Sequence, residues 1–174
     1  MSKRAVFLDR DGVINDHVRY VNTPEDLILF ADAGQAIAKL NAADFWVFVV
    51  TNQGGIGLGY MKEDALRDIH EKMSAELAKD GAHIDAIRYC PHRPKAGCPC
   101  RKPEPKMILD LAQEHGIDLA SSFMVGDRDT DVEAGRRAGT KTVFIGDDPA
   151  VSADYQANDL MGAVKRILNE PNFH

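Results

Sequence analysis

Short apolar runs alternate along the chain with segments in which apolar residues recur every three to four positions. Leu66, Ile69, Met73 and Leu77 show the second pattern, because they fall on one face of a helix. The short runs are typical of buried strands. The pattern predicts strands at Arg4–Leu8, Trp46–Thr51, Ala86–Cys90, Phe123–Gly126 and Lys141–Ile145, and helices at Asp32–Ala43, Lys62–Asp80, Lys106–His115 and Asp129–Ala138.

This alternation predicts an α/β fold with a mostly parallel sheet and helices on both faces. We expect one Rossmann-like, doubly wound domain over residues 1–174, since the sequence contains no linker, repeat or low-complexity tract. In such folds ligands bind beyond the carboxyl ends of the strands. The segment from Glu170 to His174 is expected to fray.

Composition and charge narrow the class of protein. Apolar residues make up 44% of the 174 residues, which is enough for a globular core. No apolar run approaches the roughly 20 residues that span a bilayer, and the first residues lack a signal-peptide pattern. The formal charge of −6 argues against binding to nucleic acid. We therefore expect a cytoplasmic protein that binds neither nucleic acid nor a membrane, and we expect a monomer.

Acidic residues follow the first and fourth predicted strands directly. The first strand leads into Asp9, Asp11 and Gly12, and the fourth leads into Asp127, with Asp131 four residues later. The first two carboxylates can both project over the end of the sheet, where Gly12 allows a sharp turn. Asp127 is then placed to complete a metal site with Asp9. The alternatives are a polar turn with solvated acids for the first motif and helix capping for Asp131.

A glycine-rich loop follows the second predicted strand. The segment Thr51–Gly59 supplies a hydroxyl, two amides and four glycines. Such a loop can cradle phosphate oxygens with its backbone N–H groups. Its spacing fits neither a Walker loop nor the dinucleotide fingerprint. A flexible connection is the alternative.

All three cysteines follow the third strand within an 11-residue window. Together with one histidine they form a Cys-x-His pair and a Cys-x-Cys pair: Cys90, His92, Cys98 and Cys100. The odd number of cysteines argues against a disulfide framework. Three sulfurs and one imidazole fit tetrahedral Zn²⁺ and leave no position for a reactive water, so we predict a structural zinc site. Bound zinc would pin the Arg101-Lys102 pair that follows.

A basic island surrounds this pair in an otherwise acidic protein. Residues 93–106 contain five bases and one acid, a local net charge of +4. Such an island can be a solvated loop or the binding site of a small anion. Its position among the motifs at the strand ends favours the anion.

Successive strand ends thus carry Asp-x-Asp-Gly, Thr51, Lys102 and Gly-Asp-x-x-x-Asp in that order. This order resembles the haloacid dehalogenase superfamily of phosphotransferases, from Ala5 to about Ile145. Four further motifs narrow the resemblance: Thr-Asn-Gln-Gly-Gly-Ile-Gly-Leu-Gly, Cys-Pro-His, Cys-Pro-Cys-Arg-Lys-Pro and Gly-Asp-Arg. Together they are similar to those of the D-glycero-D-manno-heptose 1,7-bisphosphate phosphatases.

The resemblance implies a mechanism. Asp9 would be the nucleophile that forms an aspartyl-phosphate, and Asp11 would be the general acid and base. Mg²⁺ would be held by the carboxylates of Asp9 and Asp127 and by the backbone carbonyl of Asp11. The threonine and lysine of the second and third motifs would hold the remaining phosphoryl oxygens. Asp131 would orient that lysine or a metal-bound water.

The substrate pocket must be shaped by loops. Only 39 residues separate Asp11 from Thr51, and 50 separate Thr51 from Lys102, so no separate cap domain fits. A second phosphate on the substrate would suit Arg101 and Arg128, because guanidinium pairs with phosphate through two hydrogen bonds. The substrate contacts implied by the resemblance are His17, Val18, Arg19, Tyr20, Thr51, Asn52, Gln53, Gly54, Arg101, Lys102 and Arg128.

The predicted activity is removal of the 7-phosphate from D-glycero-D-manno-heptose 1,7-bisphosphate, in lipopolysaccharide or nucleotide-heptose biosynthesis. Two departures from the family pattern lie on the substrate side. Pro105-Lys106-Met107 replaces a common Pro-Gly-Met, and Arg128 stands where many members have lysine. A histidinol-phosphate phosphatase, which would share the nucleophile and the zinc loop, is the first alternative. The others are an inactive, zinc-stabilised binding module and, against the charge of −6, a nucleic-acid 3′-phosphatase.

Overall fold

A single sheet of six parallel strands, in the order β3-β2-β1-β4-β5-β6, forms the centre of the protein. The computed structural model describes residues 2–170. The predicted parallel α/β fold is confirmed, and the five predicted strands differ from the observed ones by at most one residue at an end. The strands are β1 (Ala5–Leu8), β2 (Trp46–Asn52), β3 (Ala86–Cys90), β4 (Phe123–Gly126), β5 (Lys141–Ile145) and β6 (Tyr155–Ala157), and the helices are α1 (Ala33–Ala42), α2 (Glu63–Ala78), α3 (Lys106–His115), α4 (Asp129–Ala138) and α5 (Leu160–Leu168).

The strand order reverses direction at β1. This strand pairs with β2 on one side, where Leu8 lies beside Val49, and with β4 on the other, where Leu8 lies beside Val125. The crevice beyond the carboxyl ends of the strands at such a reversal is where open α/β sheets bind ligands. The fold therefore predicts a ligand site at the residues that follow β1, β2 and β4.

Side chains of the central strands point alternately to two cores. Val6 and Leu8 of β1 belong to a cluster that includes Ile37 of α1. Phe7 belongs to the opposite cluster, which includes Leu111 of α3. Helices thus cover both faces of the sheet, as the doubly wound prediction requires. None of the helices in residues 2–170 has the length and apolarity needed to cross a membrane.

Two elements near the end of the chain were not predicted. The strand β6 has only three residues, and none of them is fully buried, so it carries little apolar signal. The helix α5 does show helical spacing, since Leu160, Ala163, Val164 and Ile167 are buried. The carboxylate of Asp159 caps it by accepting a hydrogen bond from the backbone N–H of Gly162 at 2.7 Å.

The prediction that the chain frays from Glu170 is wrong for that residue. Glu170 is buried, and Lys141 donates a hydrogen bond to its carboxylate at 3.1 Å. The hydroxyl of Tyr155 donates to the other oxygen of the same carboxylate. Residues 171–174 lie outside the described residues.

Candidate active site

The polar residues of the first and third motifs meet above the end of β1. Asp9 follows this strand, and its backbone N–H extends the ladder by donating to the carbonyl of Val125 at 3.0 Å. Lys102, which arrives from the loop after β3, donates from Nζ to Asp9 Oδ1 at 2.9 Å. Both side chains are buried, with residue exposures of 6% and 4%. A candidate nucleophile and a cation are therefore held together in a site largely shielded from water.

Three oxygen atoms surround the ammonium group of Lys102. Besides Asp9, they are the carbonyl of Val50 at 2.9 Å and Asp131 Oδ1 at 2.6 Å. Burial alone would lower the pKa of Lys102, but the carboxylates of Asp131 and Asp9 outweigh burial and raise it. The lysine is therefore a permanent cation in this site.

Asp131 connects the lysine to the start of α4. Its Oδ2 accepts hydrogen bonds from the backbone N–H groups of Asp127 at 3.2 Å and Arg128 at 3.1 Å. Its Oδ1 contacts Lys102, so both oxygens are already engaged. Asp131 therefore both caps α4, which was the alternative for this residue, and contacts Lys102.

Asp127 has a carboxylate oxygen that is not satisfied within the described chain. Its Oδ1 is buried and has no hydrogen-bond partner there. Carboxylate oxygens of Asp9, Asp127 and Asp131 lie within 4.8 Å of one another. Burial first, and the charge of Asp131 second, raise the pKa values of Asp9 and Asp127. Such crowding of acids is relieved by a bound cation.

Gly12 is required for this approach. It adopts a positive φ of 83°, and a Cβ on it would lie 2.0 Å from Asp127 Oδ2. No other residue fits in that space without displacing the carboxylate.

Asp11 presents its two carboxylate oxygens to different partners. Oδ1 accepts hydrogen bonds from Arg10 Nη2 at 2.7 Å, Arg10 Nε at 3.0 Å and Asn15 Nδ2 at 3.1 Å. Oδ2 has a longer contact of 3.3 Å with Gln53 Nε2. Burial alone would raise the pKa of Asp11, but the Arg10 guanidinium outweighs burial and lowers it. Asp11 of the free protein is thus a carboxylate with Oδ1 fixed.

Residues at the end of β2 and directly after it hold neighbouring parts of the site in place. Thr51 Oγ1 accepts a hydrogen bond from Gln53 Nε2 at 2.8 Å. The side chain of Asn52 brackets the backbone of Lys102, accepting from its N–H at 3.0 Å and donating to its carbonyl at 3.3 Å. Asn52, predicted as a substrate contact, therefore fastens the lysine segment to the end of the sheet.

The glycine-rich loop packs closely against the cysteine loop, a contact that the sequence did not reveal. The backbone N–H of Gly57 donates to the carbonyl of Pro91 at 2.9 Å. A Cβ on Gly57 would lie 2.6 Å from the backbone nitrogen of Arg93, and one on Gly54 would lie 3.2 Å from the carbonyl oxygen of His92. Glycine is therefore needed here for close approach of two loops.

The four predicted zinc ligands form a compact group. Ligand atoms of Cys90, His92, Cys98 and Cys100 all lie within 4.8 Å of one another. Cys90 Sγ is 3.4 Å from His92 Nδ1 and 3.5 Å from Cys98 Sγ, and His92 Nδ1 is 3.2 Å from Cys100 Sγ. A Zn–S bond of about 2.3 Å in tetrahedral geometry places two sulfurs roughly 3.7 Å apart. Cys90 Sγ and Cys100 Sγ are closer than this, at 2.6 Å. It is therefore the donor set, three sulfurs and one imidazole, that suits Zn²⁺.

The remaining predicted contacts lie toward the surface. Val18 is 87% exposed and Tyr20 79% exposed. Arg19 and Arg128 are exposed as well, whereas Arg101 is half-buried. The rings of His17 and Tyr20 meet edge to face with their centres 5.8 Å apart, and the buried Nδ1 of the half-buried His17 has no hydrogen-bond partner among the described residues.

Arg101 and Arg128 are held by few contacts. Arg101 Nη1 donates to the carbonyl of His92 at 3.4 Å, a weak hydrogen bond. Within residues 2–170, neither guanidinium takes part in an ion pair. Both side chains can therefore bind an anion without first breaking an ion pair.

Three residues of the site were missed by sequence reasoning: Arg10, Asn15 and His70. Arg10 is fully buried and contacts both Asp11 and His70. A charged residue in the middle of an Asp-x-Asp motif was a possible signal, because burial of the motif forces such a side chain inward. Nothing in the sequence marked His70, since it lies on the core face of α2 among apolar residues.

Comparison with known proteins gives this arrangement a context. A family model described as HAD-hydrolase-like matches residues 99–163. A D-glycero-beta-D-manno-heptose-1,7-bisphosphate 7-phosphatase from Rhodopseudomonas palustris is 46% identical over 142 residues, 78% of this chain and 79% of the relative. The chain belongs to the heptose-bisphosphate phosphatase family. The resemblance seen in the motifs is thereby confirmed.

Other members of the heptose-bisphosphate phosphatase family agree in sequence and fold. The Pseudomonas aeruginosa protein of the same name is 39% identical over 83% of this chain and 82% of its own length. The crystal structure of the D,D-heptose 1,7-bisphosphate phosphatase from B. bronchiseptica, complexed with magnesium and phosphate, superposes with a TM-score of 0.86. It is 36% identical and covers 95% of this chain and 98% of that one. The chain is accordingly a phosphoric monoester hydrolase.

Proposed function

We propose that this protein removes the 7-phosphate of D-glycero-D-manno-heptose 1,7-bisphosphate through an aspartyl-phosphate on Asp9. The observation that carries the proposal is the buried contact of 2.9 Å between Lys102 Nζ and Asp9 Oδ1, beside the unpartnered oxygen of Asp127. Relatives at 46% and 39% identity bear the name of this activity. A sugar bisphosphate is therefore the substrate that family and site favour together.

Magnesium fits the acidic cluster. We assign it to the carboxylates of Asp9 and Asp127, because the buried Asp127 Oδ1 has no other partner among the described residues, whereas both oxygens of Asp131 already contact other groups. The backbone carbonyl of Asp11 is the third proposed ligand. Oxygen donors suit this hard cation, which supplies positive charge for the transferring phosphoryl group. The B. bronchiseptica relative was crystallised with magnesium and phosphate.

Phosphoryl transfer begins with attack of the Asp9 carboxylate on phosphorus. The phosphate monoester repels this nucleophile, so positive charge must be in place before reaction. Lys102 supplies it at 2.9 Å from Asp9, and Asp131 holds the ammonium group in position at 2.6 Å. We propose that Thr51, at the end of β2, donates its hydroxyl to a phosphoryl oxygen. The P–O bond to the sugar breaks as the acyl phosphate forms.

Asp11 is the proposed proton carrier. It donates a proton to the sugar oxygen that leaves, and as a carboxylate it then takes one from the water that hydrolyses the acyl phosphate. Its lowered pKa suits the second task. Because a nearby anion raises the pKa of a carboxyl group, the bound phosphate assists protonation of Asp11 before the first task.

The distal phosphate is assigned to Arg101 and Arg128. Neither takes part in an ion pair within residues 2–170, and guanidinium matches phosphate geometry. Contact with the distal phosphate at one end of the substrate positions the reacting phosphate at its other end. We propose that half-buried His17 and the exposed residues Val18, Arg19 and Tyr20, with Gln53 and Gly54, line the sugar between them.

Zinc is the proposed structural ion of the cysteine loop. Burial first, and the neighbouring Cys100 second, raise the pKa of the Cys90 thiol to about 12, so a cation is needed to hold Cys90 as a thiolate. The ion would support Arg101, which follows the last ligand directly. A cytoplasmic location, a monomeric state and a role in heptose metabolism stay predictions.

A substrate panel tests the proposal. The values of kcat/KM are compared for the heptose 1,7-bisphosphate, the heptose 7-phosphate and histidinol phosphate, with magnesium present. The bisphosphate is expected to exceed both monophosphates, because only it engages the distal arginines. A higher value for histidinol phosphate would contradict the assignment.

A further inference from the structure

A buried arginine links the proposed proton carrier to a histidine on α2. Arg10 is fully buried, and Nε and Nη2 both donate to Asp11 Oδ1, at 3.0 and 2.7 Å. Its Nη1 lies 3.1 Å from His70 Nε2. An arginine can only donate, so His70 Nε2 must accept, and the ring must be neutral with its proton on Nδ1. Burial and the charge of Arg10 together lower the pKa of His70 to about 4, in agreement with a neutral ring.

The arrangement leaves only one oxygen of Asp11 for chemistry. Oδ1 receives three N–H donors, two from Arg10 and one from Asn15. Oδ2 has the single, longer contact with Gln53 at 3.3 Å. A guanidinium anchored at one end by His70 cannot swing away from the carboxylate at its other end.

We propose that His70 is a positioning residue that acts through Arg10 to hold Asp11, so that Oδ2 alone transfers protons. This inference rests on the proposed role of Asp11 as general acid and base. His70 itself does not touch the reacting atoms, since Arg10 lies between it and Asp11. The competing interpretation is that His70 only satisfies a buried arginine and contributes to stability.

Leaving-group dependence separates the two interpretations. The ratio kcat/KM covers the steps up to departure of the leaving group, in which Asp11 acts as acid. A sugar alkoxide needs that proton, whereas p-nitrophenolate leaves readily without it. In His70→Leu, kcat/KM for the heptose bisphosphate should fall on the order of 10- to 100-fold, as for other misplaced catalytic groups, and by less than about threefold for p-nitrophenyl phosphate.

Two variants control this result. His70→Gln offers an acceptor oxygen near the position of Nε2 and should recover most of the lost kcat/KM. Ile69→Val removes a methylene from the neighbouring buried residue without touching Arg10 and should affect both substrates alike. If His70→Leu does not fold, His70→Asn, whose amide is too short to reach Arg10, takes its place.

Equal losses on both substrates, or no recovery in His70→Gln, would overturn the inference. Asp11→Asn then shows whether the role of His70 or the role of Asp11 is wrong. If Asp11→Asn discriminates between the two leaving groups and His70→Leu does not, only the role of His70 is wrong. If Asp11→Asn does not discriminate either, the proposed role of Asp11 is wrong, and the inference fails with it.

Discussion

The acidic cluster and the cysteine loop are joined in the chain through Arg101 and Lys102 but are built in opposite ways. Asp9, Lys102 and Asp131 are at most 6% exposed and bond to one another and to the backbone of the sheet. The cysteine loop runs from Cys90 to Cys100 and is largely exposed between Pro91 and Pro99, and its four ligand side chains lie close to one another. The sheet thus assembles the first region, whereas the second is expected to be held by the proposed zinc.

Lys102 and Arg101 mark the boundary between the two regions. The lysine is fixed by Asn52, Asp9 and Asp131, independently of the cysteines. Arg101 has one weak hydrogen bond, to the carbonyl of His92 in the loop. Loss of zinc should therefore disturb contact with the distal phosphate more than the charge at the reacting phosphate.

The largest effect is expected in the acidic cluster, from Asp9→Asn. An amide cannot form the acyl phosphate, so kcat should fall on the order of 10⁴-fold or more, as for loss of other nucleophiles. Folding should be retained, because the amide oxygen can still accept from Lys102. Steady-state turnover and thermal unfolding check both statements. Asp129→Asn, at an exposed acid nearby, is the control and should keep wild-type turnover.

Arg128→Ala tests the proposed contact with the distal phosphate. For the bisphosphate, kcat/KM should fall by an amount equivalent to about 2–4 kcal/mol of transition-state stabilisation, as for other charge-assisted anion contacts. For the heptose 7-phosphate the loss should be much smaller, because that substrate has no distal phosphate. Arg67→Ala removes an exposed arginine of α2 and should alter neither value. Equal losses on both substrates would assign Arg128 to the reacting phosphate or to the fold.

Cys98→Ala tests the cysteine loop. Elemental analysis should find about one zinc per wild-type chain and much less in the variant. Turnover should decrease on the order of tenfold through Arg101, since a misplaced positioning group costs up to about 100-fold. Lys95→Ala, in the same loop without a ligand, should retain both zinc and turnover. Full activity in wild-type protein freed of zinc would contradict a supporting role for the ion.

The smallest effect is expected where the glycine-rich loop meets the cysteine loop. Gly57→Ala places a Cβ 2.6 Å from the backbone nitrogen of Arg93, and overpacking of this kind lowers the free energy of unfolding by roughly 1–3 kcal/mol. Gly55→Ala is the matched control, because its Cβ meets no atom closer than 3.6 Å. Denaturant unfolding of both variants measures the difference. Equal stability would mean that the two loops are not in close contact.

The sequence predicted the acidic cluster well because its residues follow apolar strands. Parallel strands end at one edge of a sheet, so Asp9, Thr51 and Asp127 had to be neighbours. The link from Asp11 through Arg10 to His70 could not be predicted, because His70 lies in the middle of α2 and not at a strand end. The spacing of His70 on α2 is that of an ordinary core residue. Helical spacing at α5 was present in the sequence and was overlooked, whereas β6 was too short to recognise.

The position of the phosphate that is removed distinguishes a 7-phosphatase from the alternative enzymes. Phosphorus NMR during hydrolysis of D-glycero-D-manno-heptose 1,7-bisphosphate distinguishes the anomeric phosphate from the phosphate at C7. Inorganic phosphate is expected to appear as the 7-phosphate signal disappears, while the 1-phosphate signal persists in the product. Loss of the 1-phosphate, or no turnover of the bisphosphate under conditions in which histidinol phosphate is hydrolysed, would contradict the proposed activity.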